Sequence, residues 1–412
     1  MDGGPTLTRR RLLVAAGGAA GLAAAGAGGY LIREESNEPG GSTSFPFQGE
    51  RQAGIATPAQ DRLVFGAFDL EPGTGAHGLE GLLREWSAAA ETLVAGKPLG
   101  TPDDALPTPP VDTGEALGLA PARLTVTFGF GPALFAKAGL DARKPHGLTD
   151  LPALPGDALD PARSGGDLCV QACADDPVVA FHAVRNLARL GFGRASLRWL
   201  QLGFGRTSVT STGQETLRNL QGFKDGTNNL EGQDAEAMRE FVWVGDEERQ
   251  RWFRGGTYVV TRRIRMLIET WDRSSLDDQQ QTIGRFKDSG APLTGVGEFD
   301  RVDLAAKAAD GTPVIPLDAH IRLAGPASNG GSRILRRGYS YTDGIDPRTG
   351  ELDAGLFFIA FQRDLDRGFV SIQRRLGATD ALNEYIHHTG SAVFAVAPGA
   401  RPGGFVGEGL FA

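Results

Sequence analysis

Two rounds of alternating strand and helix patterns, divided near residue 195, constrain the fold of this chain more than any other feature of its sequence. In the first round, residues 62–69 alternate as a strand. Residues 78–95 repeat apolar side chains at helical spacing, at Leu79, Leu82, Leu83, Trp86 and Leu93. Residues 124–129 read as a second strand, 132–139 as a short helix and 167–174 as a third strand. Asp176 and Pro177 then mark a helix start running to about Leu190. An aspartate side chain can accept the first free N–H groups of a helix, and proline suits its first position. The second round places strands at 199–205, 255–266, 316–324 and 356–363, and helices at 246–253, 276–284 and 365–376. Helices packed on one face of an antiparallel sheet produce this order, the α+β class. Its recurrence predicts duplicated ferredoxin-like units, a dimeric α+β barrel-like arrangement of antiparallel sheets with packed helices.

The first residues stand outside that pattern. Arg9-Arg10-Arg11 precede an Ala- and Gly-rich apolar stretch ending in Ala25-Gly26-Ala27. The order basic, apolar, small is that of an export signal. The stretch is shorter than the roughly 20 predominantly apolar residues of a membrane span, and paired arginines favour the twin-arginine route. Residues 1–27 are therefore expected to be a signal, and the protein to reach the periplasm, the cell envelope or the exterior. Twin-arginine export carries folded proteins, which points to a cofactor inserted before transport. Residues 28–56, polar and rich in Gly and Ser, read as a flexible linker with order beginning near Gln60. Residues 57–195 then form an N-terminal half and 196–412 a C-terminal half. The formal charge of −8 is spread without long runs of either sign, which argues against a nucleic-acid partner, since those leave a basic stripe.

Cys169 and Cys173 share one face of an alternating strand. Four extended residues separate their Cα atoms by roughly 13 Å at about 3.3 Å per residue, and a disulfide needs less than about 7 Å. Two free, buried thiols are expected. A metal pair is the alternative, but no second Cys or His pair completes a four-ligand set.

The loop Gly222-Phe-Lys-Asp225-Gly226-Thr227-Asn228-Asn229 carries one carboxylate between glycines that let the backbone approach a ligand. Taken alone it is equally an Asp-Gly turn. Among the six histidines, His77 lies in a Gly-rich loop, His146 follows a proline, His182 shares a helix face with Arg185 and Arg189, and His387 and His388 suit a surface turn. His320 differs, because strand alternation puts Asp318, His320 and Arg322 on one face. An imidazole beside a carboxylate can be an oriented metal ligand, or a hydrogen-bonded strand histidine. Arg333, Arg336 and Arg337 interrupt an apolar strand pattern. They are either surface arginines on an edge strand or include a guanidinium held in a pocket to meet an anion.

In order along the chain, Gly222-Phe-Lys-Asp225-Gly226, His320-Ile-Arg-Leu-Ala324 and Arg336-Arg-Gly-Tyr339 resemble the dye-decolourising (Dyp-type) haem peroxidases. The likeness is to their exported iron-uptake branch, whose members are also described as deferrochelatases. It extends over residues 60–411 through Gly166-Asp-Leu-Cys-Val-Gln-Ala-Cys173, Gly255-Gly-Thr-Tyr-Val-Val-Thr-Arg-Arg-Ile264, Thr282-Ile-Gly-Arg285, Phe361-Gln-Arg-Asp364 and Asp380-Ala-Leu-Asn-Glu-Tyr385. The resemblance implies one haem b per chain, in the second half. It implies His320 as the proximal iron ligand, with Asp225 and Arg336 as the distal carboxylate and arginine. Gly226, Thr227 and Asn228 would lie along the haem, Arg285 would meet a propionate, and Leu356 and Phe358 would wall the distal pocket. Relatives often carry Asn-Pro-Arg just after the proximal segment; this chain has Gly325-Pro326-Ala327, so a haem-edge contact is expected to be missing. The implied activity is oxidation of dyes, phenols or other small organic reductants by hydrogen peroxide. The alternative is release of iron from haem with the porphyrin intact, alongside iron-transport proteins of the envelope. Homo-oligomers are a further expectation. Trp243, Trp252, Trp271, Tyr339 and Tyr341 are candidates for passing electrons to a buried haem, or simply for packing.

Overall fold

A computed structural model describes residues 44–100, 108–211 and 213–412. The expected signal at 1–27 and residues 28–43 of the expected linker lie outside the described residues.

The first half opens with β1 (Arg62–Leu70), α1 (Gly75–Val94), β2 (Thr125–Phe130) and α2 (Leu134–Lys137). It continues with β3 (Leu168–Ala174), α3 (Pro177–Leu190) and β4 (Ala195–Arg206). The cap anticipated at Asp176 forms: its carboxylate accepts from Val178 N at 2.7 Å and Val179 N at 3.2 Å, with Pro177 in the first turn. Along α1 the helical spacing buries Leu79, Leu82, Leu83, Trp86 and Leu93 against the sheet. Trp86 Nε1 donates to Leu187 O at 2.8 Å, which locks α1 to α3.

After α4 (Ala235–Phe241), the second half runs β5 (Thr257–Met266), α5 (Ile268–Arg273), α6 (Leu276–Ile283) and α7 (His320–Ala324). Then come β6 (Leu335–Arg336), β7 (Tyr339–Ile345), β8 (Leu352–Gln362), α8 (Ser371–Thr379) and β9 (Ile386–Val396). The strands follow the order β5-β9-β2-β3-β1-β4-β7-β8, and β8 pairs back with β5, closing an antiparallel barrel; β6 precedes β7 along β8. With β6 and β7 counted as one interrupted strand, each half has the order second, third, first, fourth. That is the ferredoxin-like βαββαβ order, twice. Alternate residues point inward, among them Phe65, Cys169, Cys173, Phe357, Ile359 and Phe394, while α1 and α3 cover the outer face of the first half in a separate core. Both cysteines are free and buried, as their spacing requires.

The halves meet at thin seams. β2 and β9 share the single pair Phe130 with Ala395, and β4 meets β7 at Phe204 with Ser340 and Arg206 with Tyr339. Here the described part of the expected linker departs from expectation. Phe47 is buried, and Gln52 plugs the first seam: Nε2 donates to Phe128 O and Ala397 O at 3.0 Å each, and Oε1 accepts from Phe128 N at 2.8 Å. Order thus begins well before Gln60, because backbone groups at the seam need partners that no strand supplies.

Other expectations meet mixed outcomes. Residues 246–253 form turns and a short 3₁₀ segment rather than a helix, whereas the helix expected at 365–376 is present, as a π turn over Asp366–Val370 running into α8. His77 sits on α1. His182 is buried against Asp112, with Nε2 to Oδ1 at 2.8 Å, so it does not share a solvated face with Arg185. His387 and His388 belong to β9, and His388 is buried. Residues 316–324 are no strand: they form a turn leading into α7.

Candidate active site

Two glycines with positive φ, Gly222 at 84° and Gly226 at 107°, bracket Asp225. A Cβ on Gly226 would stand 2.9 Å from Val209 N and 3.0 Å from Ser208 Cα, so this position accepts only glycine without displacing backbone. The loop is more than a turn. Asp225 Oδ1 meets Arg336 Nη1 at 2.5 Å, with both side chains largely enclosed. Strand alternation separates the arginines: Leu335 enters the barrel core, Arg336 faces outward opposite Ala360 of β8, and Arg337 is fully buried, reaching Gln60 Oε1 at 2.5 Å. Arg333 is half-buried and donates to Asn229 O at 3.3 Å. None of the three is a surface arginine on an edge strand. Leu356 and Phe358 alternate with the inward Phe357 and Ile359, so they share the outward face of β8 with Ala360.

His320 opens α7. Its Nδ1 lies 2.6 Å from Asp380 Oδ2, and Asp380 Oδ1 accepts from Leu382 N at 2.9 Å. The carboxylate is thus fixed from both sides and accepts the Nδ1 proton, which leaves the Nε2 lone pair free. The partner is Asp380 at the end of α8. Asp318 is exposed and contributes only its backbone oxygen, to Ala381 N at 3.0 Å. In a helix, i and i+2 do not share a face, so the alternation that grouped Asp318, His320 and Arg322 does not apply. Burial works to lower the His320 pKa, but the charge and hydrogen bond of Asp380 prevail and raise it. Asp225 adds to the rise and Arg336 opposes it, so the charges of all three reach one another.

Arg285 follows α6 and its left-handed Gly284. The guanidinium is buried and donates from Nη1 to Gly290 O at 2.7 Å and Glu298 O at 3.0 Å, with no carboxylate at ion-pair distance among the described residues. Burial lowers its pKa, the Glu298 charge raises it and Arg336 lowers it further. A buried cation without a partner is costly unless an anion joins it. Thr227 Oγ1 donates to Glu298 Oε1 at 3.1 Å, and Lys224 pairs with Glu298, so Glu298 pins the Asp225 loop on both sides of the carboxylate. Asn228 is exposed. Neither Glu298 nor Asp380 was expected as a contact. Asp380 carried one local signal, an acid directly after a helix; Glu298 carried none.

These residues fit a haem. An oriented imidazole with a free Nε2 suits one axial position, and Arg285 offers a charge for a propionate. A carboxylate–guanidinium pair stands within electrostatic reach, and a loop without a side chain at Gly226 permits close approach. Among the described residues no three His, Cys, Asp or Glu side chains gather to hold a metal on their own, and a single imidazole is what an iron held by a porphyrin requires of the protein.

Known proteins point the same way. Residues 52–205 match the N-terminal model of Dyp-type peroxidases and residues 216–401 the C-terminal one. The chain is 40% identical over 363 residues to the deferrochelatase of Escherichia coli K12, covering 86% of this chain and 84% of that protein. Ferric DtpA from Streptomyces lividans superposes with a TM-score of 0.83 at 42% identity, covering 90% of this chain and 98% of that one. A DyP-type peroxidase from Cellulomonas bogoriensis gives 0.81 at 43% identity, with coverage of 90% and 98%. The chain belongs to the Dyp-type peroxidase family and is a haem-dependent enzyme.

Proposed function

We propose that His320 is the axial ligand of the haem iron and that Asp225 and Arg336 form the pair that handles hydrogen peroxide. The contact of Asp225 Oδ1 with Arg336 Nη1 at 2.5 Å, within electrostatic reach of His320, carries this reading. Haem, held by these residues, would supply the redox chemistry between organic reductants and peroxide. The protein's part is to move protons and stabilise charge. Asp225 takes the proton from the peroxide oxygen that binds and returns it to the oxygen that leaves as water. Arg336 stabilises the negative charge that develops as the O–O bond breaks. Asp380 holds the His320 ring and increases its donor strength. Arg285 meets a propionate, and Gly226, Thr227, Leu356 and Phe358 contribute to the walls. Absorption spectra of the haem-loaded protein with and without peroxide test this. His320→Ala should lose the native Soret band, while Asp225→Ala and Arg336→Ala should keep it and respond slowly to peroxide. An unchanged Soret band in His320→Ala would overturn the assignment.

A second reading rests on the 40% identity to proteins named deferrochelatase. In it, the protein removes iron from haem and leaves the porphyrin intact, beside iron-transport proteins of the envelope and after twin-arginine export of the folded chain. Incubation with haem under anaerobic, reducing conditions would then yield fluorescent metal-free porphyrin; intact haem would count against it. The peroxidase reading is preferred because Asp225 and Arg336 supply a peroxide mechanism, whereas no residue pair described above supplies a way to extract the iron.

A further inference from the structure

The side chain of Asn229 stands beside the backbone of Arg336 as a neighbouring strand would. Asn229 Oδ1 accepts from Arg336 N at 2.8 Å, and Nδ2 donates to Arg336 O at 2.8 Å and to Val209 O at 2.8 Å. On its other edge Arg336 pairs with Ala360 of β8. β6 has two residues, and β4, which continues the sheet beside β7, ends at Arg206. Arg336 therefore has a ladder partner on one edge only, and a primary amide supplies the donor and the acceptor missing on the other.

Asn229 also belongs to the loop of Asp225. Its backbone N–H donates to Gly226 O at 3.0 Å, which closes the turn directly after the carboxylate. One side chain thus ties the segment carrying the carboxylate to the main chain carrying the guanidinium. We propose that Asn229 is a positioning residue for the peroxide reaction, fixing where Arg336 stands relative to Asp225. This rests on Asp225 and Arg336 being the peroxide pair. The chemistry of the site admits few substitutes. Aspartate would set a carboxylate oxygen against two carbonyls, serine offers one donor, and glutamine is longer by one methylene. A displacement of about 1 Å in a catalytic group can cost on the order of 100-fold in rate.

The test uses haem-loaded wild type, Asn229→Asp, Asn229→Ser, Arg336→Ala and the double variant Asn229→Ser/Arg336→Ala. Two quantities are read: the bimolecular rate of the Soret change with hydrogen peroxide, and the affinity of the ferric protein for fluoride, an anion that reports the hydrogen-bond donor without turnover. Asn229→Asp and Asn229→Ser should lower both by about ten-fold or more, with haem content and the resting Soret band retained. In the double variant the Asn229 change should add nothing, because the group it positions is gone. Equal losses with and without Arg336 would mean a merely structural role and overturn the inference. If Asn229 variants stay within about two-fold of wild type while Arg336→Ala loses both quantities, the inference fails and the role of Arg336 stands. If Arg336→Ala itself changes neither, the role of Arg336 fails and takes the inference with it. Should Asn229→Asp not fold, Asn229→Ser carries the same comparison.

Discussion

His320 and Asp380 are joined at 2.6 Å across 60 positions of sequence, and the aspartate oxygen not used by the imidazole holds Leu382 N. A carboxylate fixed in this way orients the ring and strengthens it as a donor. Asp380→Asn keeps the size and removes the charge. It should weaken haem retention or activity by about 10–100-fold and raise the reduction potential, because a less basic imidazole stabilises the oxidised iron less. Haem transfer to an acceptor protein and a potentiometric titration followed in the Soret band measure the two effects.

Gly226 has a φ of 107° and no room for a Cβ beside Val209 N. Gly226→Ala should destabilise the fold by about 1–3 kcal/mol. It should also displace Asp225, so that peroxide reactivity falls even in molecules that remain folded. Denaturant unfolding and stopped-flow reaction with peroxide separate the two losses.

Gln52 satisfies three backbone groups at the seam between β2 and β9. Gln52→Leu retains bulk and leaves Phe128 N, Phe128 O and Ala397 O without that partner. Each buried group left unpaired costs about 1–3 kcal/mol, so urea unfolding should show a loss of several kcal/mol. Hydrogen exchange should rise first at the seam.

How much of this was legible in the sequence depended on whether the determinant was local. Asp176 and Pro177 start α3 through contacts two and three residues away, and the spacing of Leu79, Leu82, Leu83 and Trp86 describes the buried face of α1. The same local logic misplaced His320. Polar residues at 318, 320 and 322 mimic a strand, and a five-residue helix is too short to display its own period. The burial of His182 and His388 was hidden because their surroundings, Asp112 and Gln373, come from other segments. Residue chemistry singled out Asp225, His320 and the arginines at 333, 336 and 337 with a bland alternative beside each; the resemblance assigned their roles and alone brought Arg285 to notice. The structure brings Asp225 to Arg336 and leaves Asn228 exposed, relations that local spacing does not contain.

His388 sets a pH dependence of stability. Its pKa is lowered to about 3, first by burial and then by the charges of Arg262 and His387. Unfolded, it titrates near 6.5. The folded state therefore binds fewer protons, and the contribution is fully present above about pH 6.5 and drains away as the pH falls towards about 3. The slope is about 1.4 kcal/mol per pH unit well below the unfolded pKa. His388→Gln keeps a polar side chain near Gln373 and removes the proton uptake. Between pH 7 and pH 5 its unfolding free energy should fall by about 2 kcal/mol less than that of wild type, as urea titrations at both pH values would show.

Arg285 yields a prediction that differs between the haem-free and the haem-loaded protein. Its guanidinium is buried, bonded to two backbone oxygens and without a carboxylate at ion-pair distance among the described residues. In the haem-free protein the buried charge opposes folding while its hydrogen bonds to Gly290 O and Glu298 O favour it, so replacement by a residue of similar length without charge should change stability by less than about 2 kcal/mol. In the haem-loaded protein the same charge would meet a propionate. Its loss removes a charge-assisted hydrogen bond, about 1.5–3 kcal/mol, or roughly 10- to 100-fold in haem affinity. Arg285→Met should therefore unfold close to wild type when both lack haem, and at clearly lower urea than wild type when both are loaded. A purely structural arginine would shift both forms by the same amount. The difference between the two comparisons, measured by unfolding with and without haem, is what links Arg285 to the cofactor.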